Sequence, residues 1–272
     1  METDDQNQLL SQLLPEISTY LRYSMANLHF AAAALAPAAE REQDPNLDAR
    51  AAILDQSYYQ LLRLVNNLST AACLSAEKLP TLQDRDVVDL VKDVCRQCGT
   101  LASLLGLELA FECEAPFHVC AVNRDLLEQL LFQLLSNAFK FTPKGGQITV
   151  ALKSSAHRLF LSVTDNGRGI PQDLLDHLFD RYLQKDALHL PPHGLGLGLP
   201  LCRRIAYLHG GTIMAESREG EGTRITLSIP DRQAGGASVE DRPFDYAGGF
   251  NRTLLGLADA LPPAAFLWKN QE

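Results

Sequence analysis

The chain has 272 residues, 46% of them hydrophobic, enough for one sizeable core with a smaller module beside it. A net charge of −9 and a pI near 5.3 give a nucleic-acid partner no electrostatic support. No run is long and apolar enough to span a membrane and the opening METDDQNQ is acidic, so the sequence reads as soluble and cytoplasmic.

From Asp5 to Ala36 the pattern is helical. Leu10, Leu14, Ile17, Leu21, Ser24, Leu28, Ala31 and Leu35 recur by four and three, the spacing of a bundle seam. Pro37 and the polar run to Asp48 interrupt it. A second helix then repeats the spacing with Leu54, Tyr58, Leu61, Val65, Leu68 and Ala72. Residues 1–78 are therefore expected to form an antiparallel helical hairpin. One hairpin covers its seam poorly, so a homodimer is expected; the alternative is a hairpin folded back on its own second domain. His29 reads as an ordinary, partly exposed histidine.

Residues 79–86 read as a linker, followed by a helix over 87–105 and short strands near 107–112 and 117–121. Asn123 can cap the next helix, in which Leu127, Leu130, Leu131, Leu134, Leu135 and Ala138 form an apolar face. Gln133, Asn137 and Lys140 fall one turn apart along one edge. Amide oxygens can ligate a hard cation and the amine can meet a phosphate, although a wet polar edge would look the same. The turn Pro143–Gly146 leads to strands over 147–152 and 157–164. Asp165-Asn166-Gly167-Arg168-Gly169-Ile170-Pro171 follows the second of them, and Pro171 opens a short helix ending near Phe179.

Residues 180–193 lack periodicity. Gly194-Leu195-Gly196-Leu197-Gly198 then opens a helix over 199–209, and Gly220-Glu221-Gly222-Thr223 joins strands near 212–216 and 224–229. Beyond residue 230 a connector precedes Phe250, Leu254, Leu257 and Leu261 on one helical stripe, with the single tryptophan, Trp268, near the end. This tail reads either as a helix docked on its own domain or as a partner-binding segment. The six cysteines include a Cys95-x-x-Cys98 pair on a helix; without a second pair or a nearby histidine they read as reduced, mostly buried thiols. His177, His189 and His193 are too irregularly spaced for a metal site and read as loop histidines.

The polar helix edge and the glycine segments, in this order, resemble the catalytic core of sensor histidine kinases, within the ATPase superfamily shared with gyrase and heat-shock chaperones. The resemblance implies an α+β fold, a two-layer α/β sandwich with a mixed sheet and helices on one face, over residues 79–230. The hairpin precedes it, and residues 231–272 form a linker and amphipathic tail. The implied cofactors are ATP and Mg²⁺. Asp165, supported by Thr223, would accept from the adenine amino group; Gly167 and Gly169 would let the backbone approach the base; Phe141 would form an apolar wall. Asn137 would bind the metal, with Gln133 as a second amide oxygen and Lys140 as charge partner. Gly194, Gly196 and Gly198 would bring amides to the phosphates, Arg181 would reach the terminal phosphate, and residues 180–193 would form a lid.

Two departures stand out. Against the family's Ser-His-Glu-Leu-Arg-Thr-Pro-Leu box, this chain has Ser18-Thr19-Tyr20-Leu21-Arg22-Tyr23-Ser24-Met25. Thr19 replaces the phosphoacceptor histidine, and Tyr20 replaces the acidic base, a role a phenol cannot fill near neutral pH. Gln133 stands where relatives carry asparagine or a glutamate base, and it cannot take a proton. The expected function is an ATP-binding, histidine-kinase-like signalling protein without its usual acceptor, acting as a nucleotide-responsive regulator with a receiver domain or kinase as partner. The alternatives are a kinase acting on a partner in trans and a dimeric adaptor with an empty site.

Overall fold

The computed structural model describes residues 2–75, 80–180, 196–235 and 250–270, with side chains of the first helix given from Glu16 onward. Contacts divide the chain into two units, residues 1–78 with 247–272, and residues 79–246.

In the first unit α1 (Glu2–Leu35) packs along α3 (Pro45–Ser75), with α2 (Ala38–Gln43) between them. The interruption is shorter than the sequence suggests. Pro37 precedes α2 in extended conformation, and Asp44 caps α3 by accepting from the Asn46 and Leu47 amides at 2.9 and 3.2 Å. Pro45 sits in the first turn, where its missing N–H costs nothing. The polar composition of 38–48 is thus capping and helix-forming chemistry rather than loop.

The row of α1 that turns inward holds Ser18, Met25 and the half-buried His29. Much of the expected seam faces outward in the single chain: Leu28 is 70% exposed, Leu35 82%, Leu54 49% and Leu61 53%. His29 stacks on Tyr58 at 4.3 Å and meets Phe250 edge-on at 5.0 Å.

The C-terminal stripe lies on this hairpin. Asn251 caps α8 (Arg252–Leu257), and Leu254, Leu257, Leu261 and Phe266 are buried. The buried Arg41 guanidinium ties the segment down. It pairs with Asp48 at 2.9 Å and Asp55 at 2.8 Å and donates to the Phe266 carbonyl at 3.1 Å. The Trp268 ring lies 5.8 Å from that guanidinium, and its indole N–H donates to Glu42 at 3.1 Å.

The second unit holds β1 (Gln83–Asp86), α4 (Val87–Leu105), β2 (Glu108–Cys113), β3 (Val119–Val122), α5 (Arg124–Phe141), β4 (Gln147–Ser155), β5 (Arg158–Asp165), α6 (Gln172–Leu175), α7 (Gly198–Leu208), β6 (Thr212–Arg218) and β7 (Gly222–Pro230). A five-stranded sheet runs β2-β4-β5-β7-β6, parallel between β2 and β4 and antiparallel elsewhere. With helices packed on one face of this mixed sheet, the α+β two-layer reading holds. The expected linker contains β1, paired antiparallel with β3. A charged tetrapeptide without alternation gives no local sign of a strand, because its partner lies far along the chain.

Alternation in the strands does the sorting. Ile148, Val150 and Leu152 of β4, Leu159, Leu161 and Val163 of β5, and Ile225, Leu227 and Ile229 of β7 are buried on the helix side. Each such side chain contributes about 1.5–3 kcal/mol when fully buried. Thr149, Ser162, Thr164 and Thr226 occupy the other face and are less buried. Cys95 and Cys98 are buried free thiols on α4, and burial pushes Cys95 up to about 12 and Cys98 well above its ordinary value.

Two details position the central helix. The Asn123 side chain accepts from the Leu126 amide at 3.1 Å, as the cap rule requires. Buried His209, just past α7, accepts the Asn123 N–H at Nε2 (3.1 Å) and donates from Nδ1 to the Ile205 carbonyl at 2.8 Å. Only the Nδ1–H tautomer satisfies both bonds, and burial lowers the pKa of this histidine below 6.5.

Candidate functional site

The buried rows of three strands end in polar residues at one corner of the sheet. Asp165 continues Leu159, Leu161 and Val163 on β5; Thr223 continues Ile225 and Leu227 on β7; Ser217 lies on the same face of β6. The register pairs Asp165 with Thr223 and Thr223 with Ser217, so the three stand side by side across neighbouring strands.

Asp165 is partly buried, which raises its pKa, while hydrogen bonds from the Gly167 amide (2.9 Å to Oδ1) and the Thr223 amide pull the other way. Gly167 and Gly169 shape the loop that follows. A Cβ on Gly167 would stand 2.4 Å from the Phe141 carbonyl oxygen. On Gly169, at φ +69°, it would stand 2.0 Å from the Arg218 carbonyl oxygen. The loop is also tied to the end of α5 by the Arg168 amide, which donates to the Phe141 carbonyl at 3.2 Å. The Arg168 guanidinium lies 4.3 Å and the Lys140 ammonium 5.6 Å from the Phe141 ring centre.

On α5, Asn137 is part-exposed and Gln133 is buried. Gln133 lies against the start of α7: a Cβ on Gly198 would come within 2.8 Å of its Oε1. Gly196 is exposed at φ +66° in the loop before α7. Asp165, Gly167, Gly169, Phe141, Lys140 and Thr223 therefore gather around one corner, while Gln133 and Gly198 meet each other. Arg181, Gly194, His189, His193 and residues 181–193 of the expected lid lie outside the described residues. The segment leading to them is held to α7 by Arg203, which pairs with Asp180 at 2.9 Å. Hydrogen bonds from His177 and Arg203 lower the Asp180 pKa.

Thr19 and Tyr20 are exposed on α1, with Tyr20 at 72%. Sequence reasoning missed Ser217 and Arg168. Ser217 was within reach: a tight turn between strands through Gly220 and Gly222 sets 217 opposite 223.

A family model described as histidine kinase-, DNA gyrase B- and HSP90-like ATPase matches residues 122–233, which include the corner and both flanking helices. The sensor protein DivL of Caulobacter vibrioides is 33% identical over 186 residues, 68% of this chain and 24% of DivL. This chain carries a sensor histidine kinase core. The sensor protein SrrB of Staphylococcus aureus matches that core and more, at 30% identity over 227 residues, 82% of this chain and 38% of SrrB. The chain spans less than half the length of these curated relatives. Among solved structures, full-length ShkA in complex with AMPPNP aligns with a TM-score of 0.64 at 24% identity, covering 83% of this chain and 47% of that one. Histidine kinase ThkA in complex with response regulator protein TrrA aligns at 0.56 and 19%, covering 84% and 64%. These two structural likenesses speak for the fold. Among the described residues no helix is long and apolar enough to cross a membrane.

Proposed function

We propose that this chain is a histidine-kinase-like regulator that holds magnesium-ATP and does not phosphorylate its own hairpin. The observation that carries the reading is Asp165: a partly buried carboxylate beside Thr223, with glycines at the two places where a Cβ would collide with backbone. That corner suits an amino-bearing base edge, and the Phe141 ring offers it an apolar wall. Asn137 presents a carboxamide open to a hard cation, with Gln133 one turn earlier as a second candidate ligand and Lys140 as charge partner. Asn137 and Gln133 would hold magnesium, whose charge would offset that of the nucleotide's phosphates. Gln133 accepts no proton, so the site lacks a general base on α5.

The acceptor side supports the negative half. Thr19 is exposed, and a threonine hydroxyl attacks only when a base activates it. Its neighbour in the base position is Tyr20. The outward apolar row Ile17, Leu21, Leu28, Leu35, Leu54 and Leu61 supports a homodimer through the hairpin, since covering it removes six large side chains from water. A receiver domain or kinase that reads the conformation of that dimer is the partner this reading calls for.

Incubating the full chain with magnesium and ATP labelled at the terminal phosphate tests it. The expected result is no acid-labile phosphate on the protein; stoichiometric phosphohistidine would overturn the proposal.

A further inference from the structure

Ser217 touches three parts of the corner through one hydroxyl. Its Oγ accepts the Ile170 N–H at 2.9 Å, donates to the Gly222 carbonyl at 2.8 Å, and stands 2.9 Å from the Thr223 hydroxyl oxygen. A serine hydroxyl has one proton and two lone pairs. The Gly222 carbonyl is an acceptor only, so it takes the proton. The Ile170 amide is a donor only, so it takes one lone pair. The remaining lone pair faces Thr223, whose own proton must therefore point at Ser217.

We infer that Ser217 is a specificity-determining positioning residue: it fixes the Thr223 hydroxyl as an acceptor beside Asp165, so the site selects purine nucleotides with an amino rather than an oxo group at position 6. The inference rests on the proposal that Asp165 faces the base. Asp165 already accepts the Gly167 and Thr223 amides, and as a carboxylate it has acceptor capacity left and nothing to donate. With the Thr223 proton committed to Ser217, both side chains offer lone pairs only. An exocyclic amine brings two N–H groups to such a pair. A carbonyl oxygen brings none, and meets two acceptors it cannot satisfy. Without the Ser217 hydroxyl, the Thr223 O–H is free to rotate and donate, and the preference weakens.

The test is calorimetric titration of the full chain with magnesium-ATP and, separately, magnesium-ITP, for wild type, Ser217→Ala and Ser217→Thr. Wild type is expected to prefer ATP. Ser217→Ala is expected to bind ATP with its preference over ITP reduced roughly three- to ten-fold, the worth of one hydrogen bond, and Ser217→Thr to restore it. A merely structural serine would weaken both nucleotides equally, and an unchanged ATP-to-ITP ratio in Ser217→Ala would overturn the inference while leaving nucleotide binding intact. Failure of wild type to bind either nucleotide would instead overturn the nucleotide reading itself, and this inference with it. Should Ser217→Ala melt at the assay temperature, Thr223→Val removes the same acceptor, and its ratio is expected to fall likewise; an unchanged ratio there overturns the inference too.

Discussion

The Asp165 corner and the Thr19 turn of α1 differ most in how their side chains are held. Asp165, Thr223 and Ser217 share a network of backbone and hydroxyl hydrogen bonds, and the glycine loop beside them has no room for a single added carbon at Gly167 or Gly169. Thr19 and Tyr20 project from an exposed helix surface. Side chains on a helix surface of that kind can be exchanged without disturbing the fold. At the corner, an added carbon at Gly167 or Gly169 meets backbone, and loss of the Ser217 hydroxyl unpairs the Ile170 amide and the Gly222 carbonyl. Shape and chemistry are thus coupled at the corner and separable on the helix surface.

Arg41→Ala should break the hairpin side most severely. It removes the guanidinium that pairs with Asp48 and with Asp55, itself 6% exposed, so the first unit should lose about 3 kcal/mol. Trp268 lies in the same network, so a red shift of its emission at lower denaturant reports the change, while nucleotide affinity is expected to stay put. Gly169→Ala works in the opposite direction. Backbone strain at φ +69° and the clash with the Arg218 carbonyl should cost the second unit about 3 kcal/mol and abolish ATP binding, leaving the Trp268 transition in place.

Acidification provides a third, smaller contrast. His209 is neutral in the folded unit because burial lowers its pKa, so the unfolded chain binds the proton first as pH falls. Its contribution is complete above about 6.5 and is lost as pH drops below that value, with a slope bounded at about 1.4 kcal/mol per pH unit. Thermal melts of the second unit between neutral pH and pH 5.5 should show the decline. Smallest is the β4–β5 turn, where Ala156 and His157 both sit at positive φ, +50° and +62°. Replacing them by Asn-Gly should add about 1 kcal/mol to stability in urea titrations and leave ATP affinity unchanged.

Local signals carried much of the fold. Asn123 marks the start of α5, Gly106 ends α4 at φ +71°, and strict alternation in β4, β5 and β7 marks one buried face. Non-local pairing did not show. β1 is a strand only because β3 comes back to it, and the tail lies on the hairpin through Arg41, whose partners are scattered from Asp48 to Phe266. In the candidate site, the gathering of Asp165, Gly167 and Gly169 at one corner was legible from residue type and order. The role inferred for Ser217 rests on a proton count between β6, β7 and the loop after β5, which needs the register before it can be made.

The central claim is that Asp165 holds the base of a bound nucleotide. Calorimetric titration of the full chain with magnesium-ATP, beside Asp165→Asn and Asn137→Ala, addresses it most directly. The account predicts saturable binding by the wild type that is lost in Asp165→Asn and loses its magnesium dependence in Asn137→Ala. No heat in the wild type, or binding indifferent to Asp165→Asn, would contradict it.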